Sequence, residues 1–321
     1  YPVRSQYTVN QKLTHISAFI SGAGGAIAIN DLDGDGLPND LCHIDPRNGK
    51  VIVAPVPGTG RRYPIKELTA IHYDPEKMEP MGCLPGDFNE DGIMDVLVYY
   101  GGRPPLIFIQ DTRGFTPHEI IDHRLSWFTA AGAMADINND GHSDLIFGNY
   151  YPDGTHVFDP ESNQDMQMPH TFSRANNGGI NHILLWIGVE KGVPRYREAE
   201  TSLPLVARRG WTIGVGAADL DNDLKPEIYC ANDFGTDRLL HNRSVQGREQ
   251  FALLTGVRGF MTPTSKRVGK DSFKGMGIDF ADLNQDGYPD LLVSNIADSF
   301  SFMESHFAFF STGHIEQMMQ G

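Results

Sequence analysis

Positive charge is in short supply. The 26 Lys and Arg stand against 41 Asp and Glu, for a formal net charge of −15, and the basic residues form no stripe of the kind that nucleic acid or an anionic membrane surface requires. No nucleic-acid partner is expected. Cysteine is scarce as well: Cys42, Cys83 and Cys230 lie far apart without a C-x-x-C pair, so they offer neither a disulfide framework nor a zinc knuckle. An odd count leaves at least one thiol unpaired. No run of ~18 or more apolar residues is present, so no membrane span is expected. Catalytic signatures are missing too, with no G-x-S-x-G, no H-E-x-x-H and twelve histidines scattered without ligand spacing. The chain starts at Tyr1 rather than Met, so a piece upstream is expected to have been removed or left out, and the start carries no targeting information.

Glycine and proline, at 35 and 20 residues, are plentiful, and helix-forming runs are few. That balance belongs to an all-β chain with many turns. The organising stretch is Asp282, Asn284 and Asp286, then Gly287 and Asp290, followed at once by the apolar Leu291, Leu292 and Val293. Oxygen side chains at positions one, three, five and nine with Gly at six describe a tight loop around a hard cation, and calcium is the expected ion. An EF-hand would need a bidentate Glu at position twelve between two helices, but position twelve is Val293 in a strand-like run. The loop therefore joins strands.

Four further copies precede it. Asp87, Asn89, Asp91 and Asp95 form one clean copy, and Asp136, Asn138, Asp140 and Asp144 another. The first copy, Asp31, Asp33 and Asp35, has its last carboxylate one place late at Asp40. The fourth, Asp219, Asp221, Asp223 and Glu227, carries Leu224 where the turn wants Gly, so it is expected to bind weakly or stay empty. Two carboxylates ~4 Å apart repel by about 1 kcal/mol even at the dielectric of water, so four to a loop call for an ion. Each copy follows a lead of small residues and precedes a short strand.

The loops start at 31, 87, 136, 219 and 282, giving steps of 56, 49, 83 and 63 residues. A four-stranded propeller blade takes roughly 40 to 50 residues, so the long step holds an insertion, for which 151–177 is the best candidate, or a blade that has lost its loop. Asn181 to Ala199 then reads as a hairpin closing a blade, and Val51–Val56 with Tyr63–Leu68 as the outer strands of the first unit. Ser17–Ile20 reads as a lead-in strand. The whole of 1–321 is expected to be one β-propeller domain with loops at 31–40, 87–95, 136–144, 219–227 and 282–290.

These repeats resemble the FG-GAP and VCBS type of integrin-like propellers. The stretch Trp211 to Asn242 is similar to the ASPIC/UnbV group, which includes cartilage acidic protein. Val293 to Ala297, with Glu304 to Phe307 and Ser311 to Gly313, is most similar to the branch of that group encoded in bacterial enediyne gene clusters. The resemblance implies a seven-bladed propeller with calcium loops on one face; either seven blades fit within 1–321, two of them without a loop, or a missing C-terminal segment completes the ring, which is the expectation preferred. It also implies polyketide-pathway proteins or a polyene or enediyne intermediate as partners, and a bacterial cytoplasm as location. The protein would act there as a scaffold or as a processing enzyme, and a secreted integrin-like adhesion module is the alternative. Asn232 to Gly235 contains the D-F-G tripeptide of kinases, but no H-R-D loop accompanies it. Asp233, Glu304 and His306 are the weak catalytic candidates, Glu304 and His306 sharing a face if both lie on one strand. With Asn149, Asp237 and Asn295 they are expected to approach one mouth; the plainer reading is that such residues make side-chain turns at strand ends.

Overall fold

The computed structural model describes residues 8–20, 24–199, 203–245, 248–257, 259–297, 305–314 and 319–320. The chain is all-β, with 5% helix. The first sheet runs β1 (Ala26–Asn30), β2 (Asp40–Asp45), β3 (Lys50–Pro55) and β4 (Lys66–Leu68) in chain order. The second repeats this with β5 (Glu79–Gly86), β6 (Asp95–Gly101), β7 (Leu106–Asp111) and β8 (Gly114–Glu119). In the third, β9 (Thr129–Ala135) and β10 (Asp144–Asn149) are joined by β12 (His182–Glu190) and β13 (Val193–Glu198). Between them β11 (Gly179–Ile180) pairs with β14 (Arg209–Gly210) as a short ribbon. The fourth sheet is β15 (Thr212–Ala218), β16 (Glu227–Asn232), β17 (Arg238–Asn242) and β18 (Phe251–Leu254). The fifth is β19 (Gly275–Ala281), β20 (Asp290–Asn295), β21 (Phe307–Phe310) and β22 (Met319–Gln320).

The chain divides into two compact units. The first holds Tyr1–Ala130, Asp153–Met166 and Ile187–Tyr196, and the second Ala131–Pro152, Gln167–Trp186 and Arg197–Gly321. In the first unit Cys42, Val51 and Val53 of one sheet form a single core with Val96, Val98, Leu106 and Phe108 of the next. Each such side chain contributes roughly 1.5–3 kcal/mol when removed from water. In the second unit all six residues of β16 are buried, and strand alternation divides them between two cores. Ile228 and Cys230 join Ile146, Leu185 and Phe251, whereas Tyr229 and Ala231 join Leu291, Val293 and Phe309.

The small-residue leads form the first strand of each sheet. A methyl group added at Gly214 of β15 would come within 2.9 Å of the Gly277 Cα of β19, so the leads are small because backbones pass that closely. The outer strands expected at Val51–Val56 and Tyr63–Leu68 are β3 and β4, and the hairpin expected after Asn181 is β12 and β13. Residues 151–177 contain no strand, as an insertion should. Ser17–Ile20, expected to be a strand, is a helical turn continuing a 3-10 segment from Gln11. The reason is an N-cap: the Asn10 side chain accepts the Lys12 N–H at 2.9 Å. All three cysteines are buried and free. Among the described residues no helix is long and apolar enough to cross a membrane.

Candidate functional site

All five acidic loops join the first strand of a sheet to the second. The final carboxylate is in every case the first residue of the second strand: Asp40, Asp95, Asp144, Glu227 and Asp290. The turn needs left-handed backbone at positions four and six, and takes it at Glu90, Asn139, Asn222 and Gln285 and at Gly36, Gly92, Gly141 and Gly287. Leu224 adopts the same conformation at φ 68°, so the fourth loop keeps the turn at a steric cost. Position two is a buried apolar plug in four loops, Leu32, Phe88, Ile137 and Leu220, whereas Leu283 is half exposed.

Within a loop the first carboxylate gathers backbone donors. Asp87 accepts N–H groups from Asp91 at 3.1 Å and Gly92 at 2.9 Å, and Asp136 and Asp282 do the same from their loops. The last carboxylate behaves differently. All five are fully buried, and in four of the loops one oxygen takes the backbone N–H of loop position two and the other an N–H in or just past the third strand. Asp144 accepts Ile137 N–H at 2.9 Å and Trp186 N–H at 2.8 Å. Asp95 likewise accepts Phe88 and Gln110, Glu227 accepts Leu220 and Asn242, and Asp290 accepts Leu283 and Ser311. This carboxylate is a clamp tying the loop to the third strand of its sheet. Burial pushes Asp95 and Asp144 up to about 7 and Glu227 up to about 8, against those hydrogen bonds and with the neighbouring loop charges adding to the rise.

Three of the residues that meet the clamp do a second job, invisible in the motif. Gln110 donates its side-chain amide to the Leu32 carbonyl at 3.0 Å, Asn242 to the Ile137 carbonyl at 2.9 Å, and the Ser311 hydroxyl to the Leu220 carbonyl at 2.9 Å. Each stitches one sheet to the preceding loop. Spacing is the signal that could have found two of them, since Gln110 and Asn242 lie fifteen residues after Asp95 and Glu227. The same count from Asp40 reaches Pro55, its partner across the strands, which has no N–H to give.

In the first loop that missing donor is replaced by an arginine. Arg62 donates to Asp40 through Nη2 and to Asp33 through Nε at 2.7 Å, and Asp35 lies 3.5 Å away. The fourth loop is also partly neutralised, with Lys225 Nζ 3.0 Å from Asp223 and His241 Nε2 3.8 Å from Asp221. In both loops three carboxylates place ligand oxygens within 4.8 Å of one another. The second, third and fifth loops have Asn at position three, whose amide donates to the position-five Asp at 3.0, 2.8 and 2.9 Å. Among the described residues no Lys or Arg is ion-paired to the ligand carboxylates Asp87, Asp91, Asp136, Asp140, Asp282 and Asp286 of these loops. Their oxygen-rich, solvent-facing donors suit a hard cation.

The catalytic candidates fall into separate structural roles. Asp233 is buried and accepts the Tyr150 hydroxyl at 2.6 Å, and burial raises its carboxyl. Asp237 is buried beside Asp271, both within reach of the Tyr229 hydroxyl. Burial and the neighbouring charge raise Asp237 well above the carboxylate range, and burial brings Asp271 to about 6. His306 precedes β21, off the strand, and its Nδ1 accepts the Asn295 N–H at 3.1 Å; Glu304 lies outside the described residues. Asn232 and Asn295 donate to the carbonyls of Thr236 and Ser305, the side-chain turns of the plainer reading. Asn149, at the end of β10, is buried and its N–H bonds to the Asn181 side chain.

Residues 87–147 and 219–293 match the FG-GAP-like repeat, two stretches that contain the second to fifth loops. The chain thus carries FG-GAP-like repeats. No curated protein matches it. Among solved structures, the Tc holotoxin pore of Photorhabdus luminescens is similar at 16% identity and a TM-score of 0.40, over 92% of this chain and 12% of that one. The chain spans about an eighth of that structure's length.

Proposed function

We propose that this FG-GAP-like repeat protein is a calcium-stabilised, non-catalytic scaffold. Its second, third and fifth loops each hold one Ca²⁺, and its first and fourth are neutralised from within. The observation that carries this is the contrast between loops of one backbone geometry: Arg62 or Lys225 sits against the ligand carboxylates of two, and among the described residues no Lys or Arg is ion-paired to Asp87, Asp91, Asp136, Asp140, Asp282 or Asp286 of the other three. Asp31, Asp33 and Asp35 keep the ligand spacing, but Arg62 competes for the same oxygens. The last carboxylate of each loop serves its strands first, and its charge adds to the field that attracts the ion.

The five sheets are read as blades of a seven-bladed propeller. Asp233 and His306 favour the scaffold over the enzyme, because both are engaged in hydrogen bonds within the fold. The resemblance of Val293–Ala297 and Ser311–Gly313 to the enediyne branch of the ASPIC/UnbV group supports a place beside polyketide-pathway proteins or their polyene intermediate. Calorimetric titration of the metal-free chain with calcium tests the metal assignment. Three sites are expected, with Asp87→Ala, Asp136→Ala and Asp282→Ala each removing one. No binding, or five equivalent sites, would overturn it.

A further inference from the structure

Away from the acidic loops, the first unit brings together two imidazoles and a carboxylate that no sequence motif announces. His72 lies in the turn after β4, Glu119 ends β8, and His123 follows four residues later. His72 Nδ1 is 2.7 Å from Glu119 Oε1 and His123 Nδ1 is 3.0 Å from Oε2, so each ring has an oxygen of its own. The rings stack at 4.3 Å with planes 21° apart. One donor atom from each of the three residues falls within 4.8 Å of the others. We infer that His72, Glu119 and His123 form a binding site for a zinc-type divalent ion.

Donor chemistry selects the ion. Two imidazole nitrogens and one carboxylate oxygen suit a borderline metal such as Zn²⁺, whereas calcium takes six to eight oxygens. A tetrahedral shell with bonds of ~2.0–2.2 Å sets donors roughly 3–3.5 Å apart, so a slight opening of the two contacts admits the ion. His72 and His123 are 58% and 40% exposed, which leaves water free to complete the shell.

The surroundings hold the donors in place. His72 has a left-handed backbone at φ 47°, a conformation a β-carbon disfavours. The fully buried Arg103 maintains it, its guanidinium donating to the carbonyl of Ile71 and, at 3.3 Å, to that of His72. The other arm, Nη2, makes no hydrogen bond and lies 3.8 Å from Glu119 Oε1, close enough to orient the carboxylate as an outer-shell partner does. Burial works to raise the Glu119 carboxyl, but the hydrogen bonds from His72 and His123 overcome it and hold it below its usual value. Each ring nitrogen already has a carboxylate oxygen of Glu119 as its partner, so the arrangement holds without metal. The positive charge of Arg103 makes the site weaker than one built from the same donors alone.

The test uses the full chain with calcium at saturation, so that the acidic loops do not compete. Titration with Zn²⁺ should show one saturable site that is lost in His123→Ala and in Glu119→Gln, while calcium stoichiometry stays unchanged. Co²⁺ in place of zinc should give visible d–d absorption in the parent chain and not in the variants. Where His123→Ala lowers the calcium-saturated melting temperature, the near-isosteric Glu119→Gln decides. Absence of zinc uptake by the parent chain, or a zinc site undiminished in Glu119→Gln, would overturn the assignment.

Discussion

Asp144 separates two roles that the motif combines, a backbone clamp and a charge waiting for an ion. In the metal-free protein its carboxyl is pushed up to about 7, first by burial and then by the charges of Asp140 and Asp136. The unfolded chain titrates near 3.9, so between these values the unfolded state has already released the proton that the folded state keeps. Stability from this group is complete below pH ~4 and is lost as pH rises towards 7. A shift of roughly three units at about 1.4 kcal/mol each amounts to about 4 kcal/mol. Asp144→Asn removes the charge but turns one amide N–H₂ towards a backbone donor, Ile137 N or Trp186 N, which costs about 1–3 kcal/mol. With a chelator present, the variant should be the less stable protein at pH 4 and the more stable at pH 8. Urea denaturation at both pH values measures this directly. Comparing the variant with its parent cancels the parallel contributions of Asp95 and Glu227. Calcium should reverse the order at pH 8 by neutralising Asp136 and Asp140. Equal pH slopes for parent and variant in chelator would refute the reasoning.

Two further outcomes follow from the loops. Arg62→Gln leaves Asp33, Asp35 and Asp40 without their cation, so calorimetry should count one calcium more than in the parent; an unchanged count would mean that the first loop binds no ion for some other reason. Leu224 is 72% exposed in a left-handed conformation that costs a β-carbon about 1–2 kcal/mol. Glycine's extra freedom in the unfolded chain returns about 0.5–1 kcal/mol of that. Leu224→Gly should therefore stabilise the protein by up to about 1 kcal/mol in urea melts, and a clear loss of stability would show that the leucine packs usefully.

The loops, their place between consecutive strands and the small first strands were legible because each depends on neighbours a few residues apart. Spacing alone put Asp87, Asn89 and Asp91 on one turn. A local signal also competes with the strand expected at Ser17–Ile20, since Asn10 two residues before Lys12 marks a helical start. The hydrogen bonds made by the polar residues expected at one mouth were less legible. Strand-end Asn and Asp satisfy backbone groups nearby, and nothing in their sequence reveals whether a side chain turns outward or back.

Local order along the chain thus determined which residues could curl around an ion and which could line a sheet. Tertiary structure decided where their charges ended up. Asp40 meets Arg62 because Pro55 opposite it lacks a donor, and Asp144 is spent on Trp186, forty-two residues on. His72 reaches Glu119 only because β4 and β8 end near each other in the folded first unit. A turn of nine residues is set by contacts of short range, whereas the partner of a buried carboxylate depends on which distant strand delivers its N–H, and that is settled only when the sheets form.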